Sequence, residues 1–170
     1  LCPRFARVGV EAAARLLAEM AVTDEPDQHT WRAHVLLAEA VVEDAQGHIY
    51  VHHTVHATSD SADTVVVFDA SGKFVRSWGK EFRGVAHGLW LRKEGRDEFL
   101  YLTVNATNPK MSPQPQMQAV LVKTTLSGEI VWKIEGPPDF EGYRPGPDGA
   151  AKRYNPTNVA IAPNGDIYVA

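Results

Sequence analysis

A chain of 170 residues is about one domain of sequence, and its 44% hydrophobic content excludes collagen-like, coiled-coil and disordered classes. Seventeen basic residues against 21 acidic ones give a net charge of -4, with no basic block to displace counterions from a phosphate backbone, so nucleic acid is not an expected partner. No membrane span is expected either, because the apolar run at 33–40 is broken by His34 and Glu39 and falls short of the ~20 residues that cross a bilayer.

Cys2 is the only cysteine, which leaves no intrachain disulfide and no thiolate metal site. The chain opens on Leu1 rather than methionine, which leaves room for a leader upstream of this stretch. Residues 10–21 predict a short helix: Val10, Ala13, Ala14, Leu17 and Met20 recur at helical spacing among strong helix formers, before Thr23-Asp24-Glu25-Pro26. This helix reads as a packing or capping element, with a partner-binding helix as the alternative. Residues 1–35 are expected to form an N-terminal extension and 36–170 a separate β-rich unit.

From about residue 36 the pattern changes to β-rich runs of four to seven residues separated by glycine turns, the signature of an all-β array. Internal similarity organises them. Residues 40–51, reading Ala-Val-Val-Glu-Asp-Ala-Gln-Gly-His-Ile-Tyr-Val, align without a gap on 158–169, reading Asn-Val-Ala-Ile-Ala-Pro-Asn-Gly-Asp-Ile-Tyr-Val. Between them, Gly88-Leu89-Trp90-Leu91 and Phe99-Leu100-Tyr101-Leu102 have the same two-strand form, with a longer turn expected. A second pair, 65–75 and 119–131, matches around Ser71-Gly72 and Ser127-Gly128. The predicted strand order is a, b, c, d, then a, b, c, d, then a, b.

Repeated four-stranded antiparallel units are how a β-propeller is built, so the expected fold is an all-β propeller of about two and a half blades. The spacing of Tyr50, Tyr101 and Tyr168 exceeds the ~40–50 residues of common propeller repeats because of insertions at 106–118 and 136–156. A propeller closes with at least ~4 blades, so the expected object is part of a longer array, cut within its third blade.

Tight a–b and c–d turns, at Gln46-Gly47, Ser71-Gly72, Ser127-Gly128 and Asn164-Gly165, mark one face as scaffold. Both insertions, with His52, His53, His56 and His87, fall at the other connections, which makes that face the expected working surface. His87, in Ala86-His87-Gly88-Leu89, precedes an innermost strand and is a candidate metal ligand or a histidine bonded to the channel wall. Three imidazoles around an axis with an open fourth position would make a catalytic zinc site. Glu39 and Thr157 occupy the matching positions of the other units.

His52 and His53 are expected on opposite sides of their strand, so that at most two of His52, His53 and His56 share an ion; His53 and His56 are further channel-mouth candidates. Trp31, Trp78, Trp90 and Trp132 read as packing residues rather than a ligand cage. Tyr143, Arg144, Lys152, Arg153 and Tyr154 are either a ligand rim or a solvated loop.

The stretch Val-Val-Val-Phe-Asp-Ala-Ser-Gly-Lys-Phe-Val-Arg-Ser-Trp-Gly at 65–79, followed by Ala86-His87-Gly88-Leu89, Pro156-Thr157-Asn158-Val159-Ala160-Ile161 and Gly165-Asp166-Ile167-Tyr168-Val169-Ala170, resembles NHL-repeat propellers. Within that group, residues 38–170 are similar to the six-bladed peptidyl-α-hydroxyglycine α-amidating lyases and their bacterial relatives. The resemblance implies a zinc held by one histidine from each of three blades, with His87 as one of them. It also implies a calcium held partly by main-chain carbonyls, at Val41 and Leu89. The implied reaction is zinc-assisted cleavage of a peptidyl-α-hydroxyglycine into a peptide amide and glyoxylate. Ala86 stands where the family has proline, and Thr54 where it has an arginine.

The sequence therefore predicts the N-terminal half of an NHL-type propeller with a metal at its channel, acting as a carbon–nitrogen lyase on a small-molecule or peptide substrate. Two other readings stay open: a non-catalytic propeller binding a peptide, glycan or protein on its loop-rich face, and a calcium-dependent lactonase-like hydrolase, for which Glu39 is the acidic candidate. Relatives of this group are often exported, so a secreted or periplasmic location is the expectation.

Overall fold

The computed structural model describes residues 38–55, 61–83, 85–105, 119–136 and 154–170. The predicted helix at 10–21, the extension at 1–35, the insertion at 106–118 and most of that at 136–156 lie outside the described residues. The architecture is all-β, with antiparallel pairing throughout. Strands β1 (Ala38–Glu43), β2 (Ile49–His53), β3 (Val65–Phe68) and β4 (Phe74–Trp78) form one four-stranded sheet in sequence order. Strands β5 (Val85–Glu94), β6 (Asp97–Asn105), β7 (Val120–Thr125) and β8 (Ile130–Ile134) form a second. The pair β9 (Val159–Ile161) and β10 (Ile167–Val169) stands as a two-stranded sheet. Among the described residues there is no α-helix; a single 3₁₀ turn, Lys80–Phe82, buries Phe82 behind β4.

One turn is used four times. At Asp44, Asp69, Thr125 and Ala162 the backbone N–H donates to the carbonyl four residues on, while the carbonyl accepts from the N–H of Gly47, Gly72, Gly128 or Gly165. Those glycines have φ of 86°, 83°, 94° and 100°, the left-handed region in which a side chain is strained. This is a type I turn closed by a left-handed bulge residue, and it explains why an x-Gly pair recurs between strands.

The β5–β6 connection departs from the expected longer turn: the strands run out to Glu94 and Asp97 and meet across Gly95-Arg96. The apolar pattern stops at Leu91, but polar pairing carries the sheet further. Glu94 accepts hydrogen bonds from the Tyr101 hydroxyl and from Lys123 Nζ, the latter at 2.7 Å.

The side-chain period of two divides β6 and β7 between two cores. Leu100, Leu102, Val104, Val120 and Val122 pack with Tyr50, Val65, Val67, Phe82 and Leu89, so the first two sheets share a core. Tyr101 and Leu121 face the other way and pack with Val159 and Ile161 of β9, flanked by Trp90, Phe99 and Trp132. Trp78 packs against the first core, so the three described tryptophans are packing residues, as expected; Trp31 lies outside the described residues. Tyr50 of β2 and Tyr101 of β6 thus point toward the following sheet, and the first strands of the three sheets lie in series, β1 against β5 and β5 against β9.

Candidate functional site

The first strands of the three sheets share a local irregularity at or just before their first residues. On β1, Ala38 and Ala40 face His53 and His52, so Glu39 is an extra residue in the ladder. On β5, Ala86 and Leu89 face Val104 and Leu102, so His87 and Gly88 together oppose Thr103. Before β9, the N–H groups of Thr157 and Asn158 both donate to the carbonyl of Ala170, at 2.6 and 3.4 Å. All three are β-bulges, devices that re-aim a side chain and interrupt pairing. They place Glu39, His87 and Thr157 at equivalent positions, as the sequence alignment expects.

Beyond the bulge the ladder returns to regular alternation. Asn158 and Ala170 exchange backbone hydrogen bonds, so the next pair, Val159 and Val169, directs its backbone groups outward. The same count turns the backbone N–H and carbonyl of Val41 away from β2 and those of Leu89 away from β6. Val41 and Leu89, the two carbonyl positions implied by the resemblance, therefore share one register position with Val159.

Gly88 joins the three sheets. Its N–H donates to Thr103 Oγ1 at 2.6 Å, and its carbonyl accepts from His52 Nδ1 at 3.3 Å. A Cβ at this position would lie 2.8 Å from Asn158 Cα, which only glycine avoids. Next to it, the N–H of Ala86 donates to Thr54 Oγ1 at 3.1 Å, so Thr54 spends its hydroxyl on fastening β5 to the end of β2.

His52 is fully buried. A carbonyl only accepts, so the neutral ring carries its proton on Nδ1; Nε2 is buried without a hydrogen-bond partner among the described residues. Burial pushes the His52 imidazole down to about 3, against the opposing effect of the Gly88 hydrogen bond, and the neighbouring His53 and His87 lower it further. His53 is buried too and points Nδ1 at the carbonyl of Thr54, at 3.3 Å. His87 is half-buried. The structure thus brings His52, His53 and His87 into one electrostatic neighbourhood, whereas His56, Tyr143, Arg144, Lys152 and Arg153 lie outside the described residues. Among the described residues no group of three or more His, Cys, Asp or Glu side chains is arranged to hold a metal ion. Of His52, His53 and His87, only His87 is not fully buried.

At the opposite, tight-turn end a cleft of about 660 Å³ opens between the first two sheets, lined by Gln46, Arg76, Arg96, Asp97 and Glu98 among others. Two arginines face two carboxylates there, so its charge is balanced and no ligand class is singled out. Arg76 is already engaged, donating from Nη2 to the Tyr50 hydroxyl at 3.3 Å and to the Leu126 carbonyl at 3.2 Å. The bridging roles of His52, Thr54 and Gly88 were not visible in sequence, because no local pattern marks a contact between units.

No family model matches the sequence, and no curated protein or solved structure matches the chain.

Proposed function

We propose that the chain is part of an NHL-type β-propeller built from the four-stranded repeat, and that the bulged ends of its inner strands form a metal-dependent working face. The observation that supports this reading is the bulge at Glu39, His87 and Thr157, which puts one extra residue per unit at the same register position. In this reading His87 is the zinc ligand that the chain contributes, and the main-chain carbonyls of Val41 and Leu89, joined by Val159, receive calcium. Hard oxygen donors suit calcium, and imidazole suits zinc. Zinc, when bound, lowers the pKa of a coordinated hydroxyl, which is the chemistry a carbon–nitrogen lyase of this type requires.

Thr54 carries no positive charge and its hydroxyl is engaged with Ala86, so the reading is a lyase-like metal site rather than the amidating reaction itself. A second reading, a calcium-dependent lactonase-like hydrolase, is favoured by Glu39 at the equivalent bulge.

The test is the metal content of the complete parent protein purified without chelator, beside its His87→Ala and Glu39→Gln variants. Zinc near one per chain, lost in His87→Ala, is the expected result. Calcium lost only in Glu39→Gln would favour the hydrolase. Absence of both metals would overturn the metal reading and leave a propeller that binds a peptide, glycan or protein on this face.

A further inference from the structure

Thr54 and Asn105 hold equivalent places, each the fourth residue after the tyrosine of its second strand, Tyr50 or Tyr101. Thr54 faces the second unit, where its Oγ1 accepts from the N–H of Ala86, the residue before His87. Asn105 ends β6, opposite Val85 in the ladder. The period of two sets it on the same side of the strand as Tyr101, which packs with Val159 and Ile161 of the third unit.

The residue equivalent to Ala86 in that third unit is Pro156, the residue before Thr157, and proline has no N–H to give. Pro156 is itself buried, so the place that supplies the donor at the first junction is occupied at the second and offers none. Asn105 is 6% exposed, and its Oδ1 is buried without a hydrogen-bond partner among the described residues. Folded chains rarely leave such an atom unpaired, because burial strips it of water with nothing gained in return.

The chemistry of the carboxamide narrows what could pair with it. It holds an acceptor and an N–H donor side by side in one plane, and a half-turn of the side chain exchanges the two ends. In an extended peptide the N–H and the carbonyl of one residue point to the same side, which matches both ends at once. A hydroxyl carries its donor and acceptor on one atom and meets only one end. A cation would require a cage of several oxygens, and among the described residues no group of three or more His, Cys, Asp or Glu side chains is arranged for one.

We propose that Asn105 is a ligand-binding residue at the junction of the second and third units, and that it takes an extended peptide by the N–H and carbonyl of one residue. The inference rests on the working face proposed above, whose substrate class it names as peptide, and not on the metal.

The test uses the complete parent protein, with acetyl-triglycine N-methylamide as the probe. Its counterpart is the analogue in which each glycine N–H is replaced by an ester oxygen. Nuclear magnetic resonance follows the side-chain amide of Asn105, assigned by its loss in Asn105→Leu. A saturable shift is expected, with half-saturation by the ester at least about tenfold higher. Read at the backbone N–H of Thr157, Asn105→Leu should bind the peptide about tenfold or more weakly. The ester comparison needs no variant, so it decides the matter even if Asn105→Leu does not fold. Equal affinity for peptide and ester, or unchanged affinity in a folded Asn105→Leu, would overturn the proposal. So would no saturation by about 50 mM peptide, or a shift that saturates with calcium alone. The metal content of the same samples separates the two readings. Peptide binding that depends on Asn105 in a metal-free protein would support this site and remove the metal, whereas bound metal without peptide binding would overturn this site and keep the metal.

Discussion

His52 on β2 donates from Nδ1 to the carbonyl of Gly88 on β5, 3.3 Å away, so a hydrogen bond that joins the first sheet to the second ends on a residue against which Asn158 of the third unit is closely packed. Gly88→Ala places a Cβ within 2.9 Å of Asn158 Cα, Asn158 Oδ1 and Thr103 Oγ1 at once. Two of these neighbours belong to a third-unit residue and one to a buried side chain, so little can yield. Equilibrium unfolding should show a loss of about 1–3 kcal/mol, the range for overpacking a close contact. A neutral Gly88→Ala would mean that the third unit does not close on β5 in solution.

Replacing His52 by leucine removes the donor and leaves the Gly88 carbonyl buried without it. The expected cost is about 1–3 kcal/mol, the penalty of an unmade buried hydrogen bond. Replacement by glutamine, which keeps a donor, should recover part of that loss. If His52→Leu is as stable as the parent chain, packing rather than the hydrogen bond joins the two sheets.

The repeat, the strand order and the tight turns were legible in the sequence, because each depends on local chemistry: alternation of apolar residues and a glycine with positive φ at a fixed offset. The β5–β6 turn was misjudged because the charged residues from Arg92 to Glu98 look like loop. Only in the fold do Glu94, Tyr101 and Lys123 meet and satisfy one another. Alternation also anticipates that His52 and His53 diverge, but not that both are buried, since burial depends on neighbours distant in sequence, such as β5 packed against β2. The equivalence of Glu39, His87 and Thr157 was readable from alignment. The bulges that give it geometric meaning were not, because an extra residue in a ladder is defined by the partner strand.

The Glu94 cluster predicts acid sensitivity. Burial raises the Glu94 carboxyl, but hydrogen bonds from Lys123 and Tyr101 and the charges of Lys123 and Arg92 outweigh it and hold the group below its ordinary value. A carboxyl depressed in the folded state contributes stability above its unfolded pKa and loses it as pH falls. Stability should therefore decline as pH drops below the ordinary glutamate range of about 4.3, and Glu94→Gln should flatten that part of the profile. Urea unfolding of both chains across acid pH checks this; parallel profiles would remove Glu94 from the account.

Two aspartates that close the same turn should differ in worth. Asp44 accepts from the N–H groups of Gln46 and His48, at 2.9 and 2.8 Å, and from the Tyr50 hydroxyl at 3.1 Å, and it is buried. Asp69 accepts from the N–H groups of Ser71 and Lys73, at 2.8 and 3.0 Å, in the open. Solvent can replace the bonds of Asp69 but not those of Asp44. Asp44→Ala should cost about 2–3 kcal/mol and Asp69→Ala about 1 kcal/mol or less, as parallel denaturation curves would read. Equal costs would show that the turn geometry, not the buried Tyr50 bond, sets the value of Asp44.

Thr54 offers a way to separate support of the bulge from general stability. Its hydroxyl accepts from Ala86, the residue immediately before His87, at 3.1 Å. Thr54→Val keeps the shape of the side chain and removes the acceptor, leaving the Ala86 N–H without it and costing about 1 kcal/mol of stability. If His87 is a metal ligand, the freed backbone also lets its imidazole drift, and orientation of a ligand by its supporting contacts is commonly worth tenfold or more in metal affinity. Zinc retention by the complete parent protein during dialysis should therefore fall about tenfold in Thr54→Val and recover in Thr54→Ser, which restores the hydroxyl. A fall in stability with zinc retention unchanged would confine Thr54 to fastening the two sheets and would separate the bulge at His87 from metal binding.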